Sequence, residues 1–237
     1  MRILLSIVSL LFLSSAAHAE QGRLTVLELF TSQGCSSCPP ADDLLRELAE
    51  DESLLALSLH VDYWDYLGWK DPFSSAENTH RQRNYAPLIV DRGIYTPQLV
   101  VDGKFGVIGS QRSQVKSMIR AARNYPLHVP MQISPKQTTL AVSLTPPKDT
   151  ESLPASATLY ALHYARHNTT KVTRGENNGR KMTNINSVTS ISKIGTWNKS
   201  AAQFNVPRPA ADEGIAVLLH SDTQGRIIGA ARYEEKL

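Results

Sequence analysis

The chain has 237 residues, of which 41% are hydrophobic and 20% charged, with 13 Gly and 13 Pro; that balance excludes disordered, collagen-like and low-complexity chains. The length fits one large domain or two small ones. A formal net charge of +3 is too small to call for nucleic acid or an anionic membrane as a partner.

The one long apolar run, Ile3 to Leu13, is too short for a bilayer, which needs about 20 residues. With Arg2 before it and Ala17-His18-Ala19 after it, residues 1–19 read as a signal peptide. The mature chain is then expected to start near Glu20, in the periplasm or medium, with no stable membrane insertion after cleavage.

Residues 24–31 are rich in β-favouring side chains and are punctuated by Ser32-Gln33-Gly34, which predicts a buried strand. Glu28 shares a strand face with Leu24, Val26 and Phe30, where a carboxylate must be paired or protonated. It is either an acid for proton transfer or half of a salt bridge. Cys35-Ser36-Ser37-Cys38 follows, then Pro39-Pro40 and a helical stripe of Ala41, Leu44, Leu45 and Leu48. These two cysteines are the only ones in the chain.

A helix N-terminus favours a thiolate through its partial positive charge and free N–H groups, so Cys35 is expected to be the more acidic thiol. Two intervening residues allow one sulfur to resolve a mixed disulfide held by the other. Three readings stay open: redox chemistry, a soft-metal site holding Cu(I) through Cys35 and Cys38, and an inert disulfide. Haem attachment is excluded by Pro39 where a His is required, and structural zinc lacks a second cysteine pair.

Residues 54–61 are nearly continuously apolar, as in a parallel strand covered on both faces. Alternation puts Ser58, His60 and Asp62 on one face, and the carboxyl end of this strand falls at the same sheet edge as the cysteines. His60 and Asp62 are therefore candidates for a proton relay or auxiliary metal ligands, or for a pair that orders the aromatic loop Tyr63 to Pro72. That loop, with Trp64 and Trp69, is a substrate platform or a lid on the core. Ser74-Ser75-Ala76-Glu77 has the capping-box pattern and starts a helix to about Tyr85. Gln98 to Gly103 reads as strand and turn, residues 106–109 as its hairpin partner, and Ser110 to Asn124 as a helix.

Beyond Asn124-Tyr125-Pro126 the period changes to two, in residues 140–144, 157–161, 215–219 and around 227–228, predicting short antiparallel strands in a sandwich. Arg174-Gly175-Glu176-Asn177-Asn178-Gly179-Arg180 reads as a hairpin tip. Arg174 and Arg180 could also hold an anion or pair with acids across an interface.

The element order, with Cys-x-x-Cys after the first strand and Thr96-Pro97 before the third, resembles the thioredoxin fold. That resemblance implies a cis peptide at Pro97 facing the cysteines, Thr96 in the position held in periplasmic disulfide isomerases, Cys35 as nucleophile and Cys38 as resolving thiol. The stretches Glu28 to Asp42, His60 to Pro72 and Arg174 to Arg180 are closer still to a bacterial family of secreted, thioredoxin-like proteins known only as a domain of unknown function. Gly34 stands where thioredoxins have Trp, and Ser36-Ser37 replaces their Gly-Pro.

The expected architecture is an α/β thioredoxin-like domain over residues 20–125 followed by an antiparallel β-sandwich-like domain over 126–237. The expected function is an exported thiol–disulfide oxidoreductase acting on a protein thiol or disulfide, with no organic cofactor implied. The alternatives are a Cu(I)-handling protein and a partner-binding module with a structural disulfide.

Overall fold

The computed structural model describes residues 23–89, 93–125 and 128–235. The expected signal peptide, the mature start near Glu20 and Pro126 of the expected boundary lie outside the described residues.

Strands β1 (Thr25–Thr31) and β2 (Leu54–His60) are buried at every residue and run parallel, from Thr25 beside Leu54 to Thr31 beside His60. Burial on both faces is why neither sequence alternates. Helix α1 (Pro39–Leu48) connects them and packs Ala41, Leu44 and Leu45 onto Leu27, Leu29 and Ala56. A 3-10 turn (Asp65–Leu67) leads to α2 (Ala76–Tyr85), whose cap is Ser75; its Oγ accepts from the N–H of Asn78 at 3.1 Å. Strand β3 (Gln98–Val101) pairs antiparallel with β1 and with β4 (Phe105–Ile108). Helix α3 (Arg112–Arg123) then adds Val115, Ile119 and Ala122 to the core under α1.

The rest of the chain is β5 (Met131–Pro135), β6 (Thr139–Leu144), β7 (Ala157–Lys171), β8 (Lys181–Trp197), β9 (Ala202–Pro207), β10 (Glu213–Ser221) and β11 (Ile227–Glu234). The expected pair of units, an α/β thioredoxin-like domain followed by an antiparallel sandwich, is contradicted. The chain is mostly β, with three α-helices among the described residues, and strands from both halves share one eight-stranded mixed sheet. Its order is β11-β10-β7-β8-β2-β1-β3-β4, beside a second sheet of order β5-β6-β9.

The physical reason lies at the free edge of β2. Strand β8 takes that edge in parallel, with Ser58 beside Ser187, and Asn186, at φ 46°, donates its Nδ2 to the Ala56 carbonyl at 2.9 Å. Strands β7 and β8 run for 15 and 17 residues, well beyond the short stretch that alternation marks. Bulges at Leu159/Tyr160 and His163/Tyr164 shift their register and interrupt the period of two.

A core containing Val26, Phe30, Leu57, Leu162 and Leu218 therefore mixes both halves of the chain. Another, with Leu140, Val142, Trp197 and Val217, lies where the smaller sheet covers the far end of the larger one. The halves are also joined at the turn after β3. Asp102 Oδ1 accepts from the N–H of Val26 at 2.7 Å, and its carbonyl accepts from the N–H of Ile227 at 3.0 Å. Among the described residues no helix is long and apolar enough to cross a membrane.

Candidate functional site

Past β1 the chain turns tightly: the N–H of Gly34 donates to Ser32 Oγ at 3.0 Å and that of Cys35 to the Ser32 carbonyl at 3.1 Å. The N–H of Cys38 donates to the Cys35 carbonyl at 3.3 Å. This brings the two Cα atoms to 5.5 Å, and the sulfurs are bonded. Both cysteines are 0% exposed, while Ser36 and Ser37 face solvent. Ser37 Oγ stands 3.3 Å from Cys35 Sγ.

Cys38 is the N-cap of α1, so the pair does sit at a helix start. The expected free N–H donors of that start are missing, however. Pro39 and Pro40 have none, and the N–H groups of Ala41 and Asp42 both donate to the Cys38 carbonyl, at 2.9 and 3.1 Å. The helix offers its dipole to a thiolate, and the hydroxyl of Ser37 offers a hydrogen bond.

One helical turn beyond Cys38 lies Asp42, on the buried face with Ala41 and Leu45. Thr31 Oγ1 donates to its Oδ1 at 2.9 Å. Thr31 is the strand neighbour of His60, whose Nδ1 is 2.7 Å from Asp71 Oδ2. That Asp71 oxygen also accepts from the N–H of Gln33 at 2.7 Å, tying the group to the cysteine loop.

Asp42 Oδ2 and His60 Nε2 are buried without a hydrogen-bond partner. Burial drives the Asp42 carboxyl up to about 7, against the pull of His60 and the Thr31 hydroxyl. Burial also acts to strip the proton from His60, but Asp71 and Asp42 outweigh it and hold the imidazole above its ordinary value. Burial acts to raise Asp71 too, yet His60 and the N–H groups of Gln33 and Phe73 hold it below the usual carboxylate range.

The other sequence candidates go to different places. Asp62 is tied to α2, its Oδ1 accepting from Thr79 Oγ1 at 2.5 Å; β2 ends at His60, so the strand alternation that would have kept the two together stops between them. Glu28 meets Arg81 Nη2 at 3.2 Å and the Tyr85 hydroxyl, both from α2, on the sheet face opposite α1. Of its two readings, the salt bridge is the one that forms.

The Thr96–Pro97 peptide is cis. Thr96 Oγ1 accepts from Trp64 Nε1 at 2.8 Å, and the N–H of Gly109 donates to the Pro97 carbonyl at 2.9 Å. A Cβ on Gly109 would come within 3.1 Å of Ala41 Cβ and 3.5 Å of Pro97 Cβ, and one on Gly34 within 3.2 Å of Trp64 Cβ. Thr96, Pro97 and the aromatic loop therefore stand beside the cysteine turn and the first turn of α1. Cys35 and Cys38 are the pair able to hold a soft ion once reduced.

Sequence reasoning missed six contributors: Gln33, Ser37, Asp42, Asp71, Glu176 and Asn177. The loop between β7 and β8 is a hairpin tip, as expected, with Gly175 and Gly179 at φ 71° and 82°. Its contacts with the cysteine loop come from the residues between those glycines rather than from the arginines. Asn177 Nδ2 donates to the carbonyls of Gln33 and Cys35 at 3.0 and 2.9 Å, and Glu176 Oε2 accepts from the N–H of Ser36 at 3.1 Å. Gln33 is held further by Asn184 and Trp69, at 3.1 and 3.3 Å. Two signals were available: an acid four residues after Cys38 beside the apolar stripe, and the three stretches that carry the family resemblance, within which all six residues fall.

A solved structure of Protein AGR_C_4864 from Agrobacterium tumefaciens is similar to this chain at 31% identity and a TM-score of 0.78, covering 92% of this chain and 98% of that one. HBP35 of Porphyromonas gingivalis, at 14% identity and a TM-score of 0.62, covers 90% of this chain and 75% of its own, a likeness of fold alone. No curated protein matches. The model of one family fits residues 26–220, and the chain accordingly belongs to that family, described as protein of unknown function DUF1223.

Proposed function

We propose that the protein is an exported thiol–disulfide oxidoreductase that works on a protein partner through Cys35 and Cys38. The observation that carries this reading is a disulfide closed across two residues at a helix start, with the buried Asp42, raised to about 7, one helical turn below it. Titratable groups displaced towards neutrality gather at sites that move protons. The motif likeness to thioredoxin-superfamily sites, in Cys-x-x-Cys and Thr96-Pro97, supports the same chemistry, and residues 1–19 support export.

In the oxidised form a partner thiolate attacks Cys35 Sγ. The Cys35–Cys38 bond breaks, its electron pair goes to Cys38 Sγ, and Asp42 supplies the proton that neutralises the departing thiolate. A second partner thiolate then attacks the partner sulfur of the mixed disulfide and releases Cys35 as a thiolate, which the Ser37 hydroxyl stabilises. The partner is oxidised by two electrons and the Cys35–Cys38 pair reduced by two. Run in reverse, Asp42 receives the proton of Cys38 as that thiol closes on Cys35. His60, held by Asp71, pulls the Asp42 carboxyl down against the larger, opposite effect of burial.

Equilibration in glutathione and dithiothreitol buffers, with free thiols counted by mass, tests the proposal. The expected reduction potential lies between about −120 and −230 mV. A value below about −300 mV would assign the pair to a structural bond and end the exchange reading. Cys38→Ser is expected to accumulate reducible mixed disulfides in the periplasmic fraction, absent from the Cys35→Ser/Cys38→Ser variant.

A further inference from the structure

Exchange requires a partner sulfur to reach Cys35, yet neither cysteine has any exposed surface. The β7–β8 hairpin tip makes hydrogen bonds to this turn from far along the chain. Its Asn177 is itself fully buried, spends both amide hydrogens on the carbonyls of Gln33 and Cys35, and leaves its own Oδ1 without a partner. Its Glu176 takes the N–H of Ser36 from the solvent side.

Two carbonyl acceptors and one N–H donor on consecutive parts of a turn are what an extended polypeptide recognises through its own backbone. The carboxamide of Asn177 stands where a peptide N–H would donate, and the carboxylate of Glu176 where a peptide carbonyl would accept. The closed seat also holds an uncompensated acceptor, Asn177 Oδ1, which lifting the tip returns to water. Gly175 and Gly179, both in the left-handed region that favours glycine, frame the two residues that would have to move.

We propose that residues 174–179 are a removable seal on the Cys35–Cys38 pair, occupying the seat that an extended polypeptide segment beside the partner's sulfur takes during exchange. This rests on the oxidoreductase reading and names its substrate class: unfolded or extended chain around a cysteine, in preference to a small free disulfide. The tip and the substrate exclude one another because they use the same three backbone groups.

The test uses the full mature chain in its oxidised form and follows reduction of its disulfide by a water-soluble phosphine, which needs access alone. Asn177→Ala is expected to be reduced about tenfold faster than the natural chain, with its thermal transition and amide spectrum preserved. Glu176→Gln, at an exposed position, is expected to give about threefold and keeps the test in force should Asn177→Ala fold poorly. Rates within a factor of 1.5 or so of the natural chain in the folded variants would overturn the seal. A cysteine-free extended peptide, added at millimolar concentration, should speed hydrogen exchange at Asn178 and Gly179; unchanged exchange would overturn the shared seat. A structural potential with faster phosphine reduction in Asn177→Ala would refute the oxidoreductase reading and keep the seal, while a catalytic potential with equal phosphine rates would do the reverse.

Discussion

Asp42 keeps its proton at pH values where an exposed aspartate has lost it, because burial raises its carboxyl from 3.8 to about 7. Between those values the folded chain holds a proton that the unfolded chain has released, so stability falls as pH rises through this window. The contribution is fully present below about 4 and lost above about 7. Asp42→Asn, which keeps an acceptor for Thr31, is therefore expected to stabilise the fold at pH 8 by up to about 4 kcal/mol and to change it little at pH 4.5. Urea unfolding at the two pH values checks this, and an equal effect at both would show that Asp42 is ionised throughout. The Cys35–Cys38 bond was legible in the two-residue spacing of its cysteines, and the cis peptide at Pro97 through the resemblance to the thioredoxin fold. Asp42 and Asp71 were not, since an acid becomes unusual only through burial, and Asn177 reaches Cys35 across a separation of 142 residues.

The turn between β3 and β4 acts as a socket for the one between β10 and β11. Gly103 has φ 65°, and a Cβ there would stand 2.5 Å from the Gly225 carbonyl oxygen. Gly103→Ala thus meets both a disfavoured backbone and a clash with main chain that cannot swing aside. It is expected to cost about 2 kcal/mol or more and to lower the thermal transition by several degrees. Gly68→Ala, at φ 94° with nothing within 4 Å of its Cβ, should pay for backbone alone and show a smaller shift in the same calorimetric scan; equal shifts would mean that the socket contact contributes nothing. The helices were legible from apolar stripes and from the capping-box pattern Ser74 to Glu77, although the cap itself falls one residue later, at Ser75, whose Oγ accepts from the N–H of Asn78. The full length of β8 was not, because its buried and exposed positions follow the bulges and the neighbour β2 rather than a simple alternation.

At the scale of the molecule, periodicity reports which face of a strand is buried and is silent about what pairs with its edge. That silence is why a change of period near Asn124 reads as a boundary between units, when the strands on either side of it enter one sheet. A chain ending at Asn124 would uncover the edge of β2 and strip Leu162, Leu218 and their neighbours from the core shared with Phe30 and Leu57. Such a fragment is expected to be aggregation-prone and to lack a cooperative thermal transition. A soluble, cooperatively folding fragment would show instead that the β2–β8 junction is dispensable.

The distance along the chain between the cysteine turn and Asn177 also sets an order of events in time. With 142 residues separating Cys35 from the side chain that closes over it, and synthesis at about 5–20 residues per second, the pair waits roughly 7 to 28 seconds before its cover has been made. During that interval both thiols meet whatever oxidant, thiol or soft metal surrounds the growing chain. The pair therefore meets its surroundings uncovered once, before the fold closes, and afterwards only when the tip of the β7–β8 hairpin lifts.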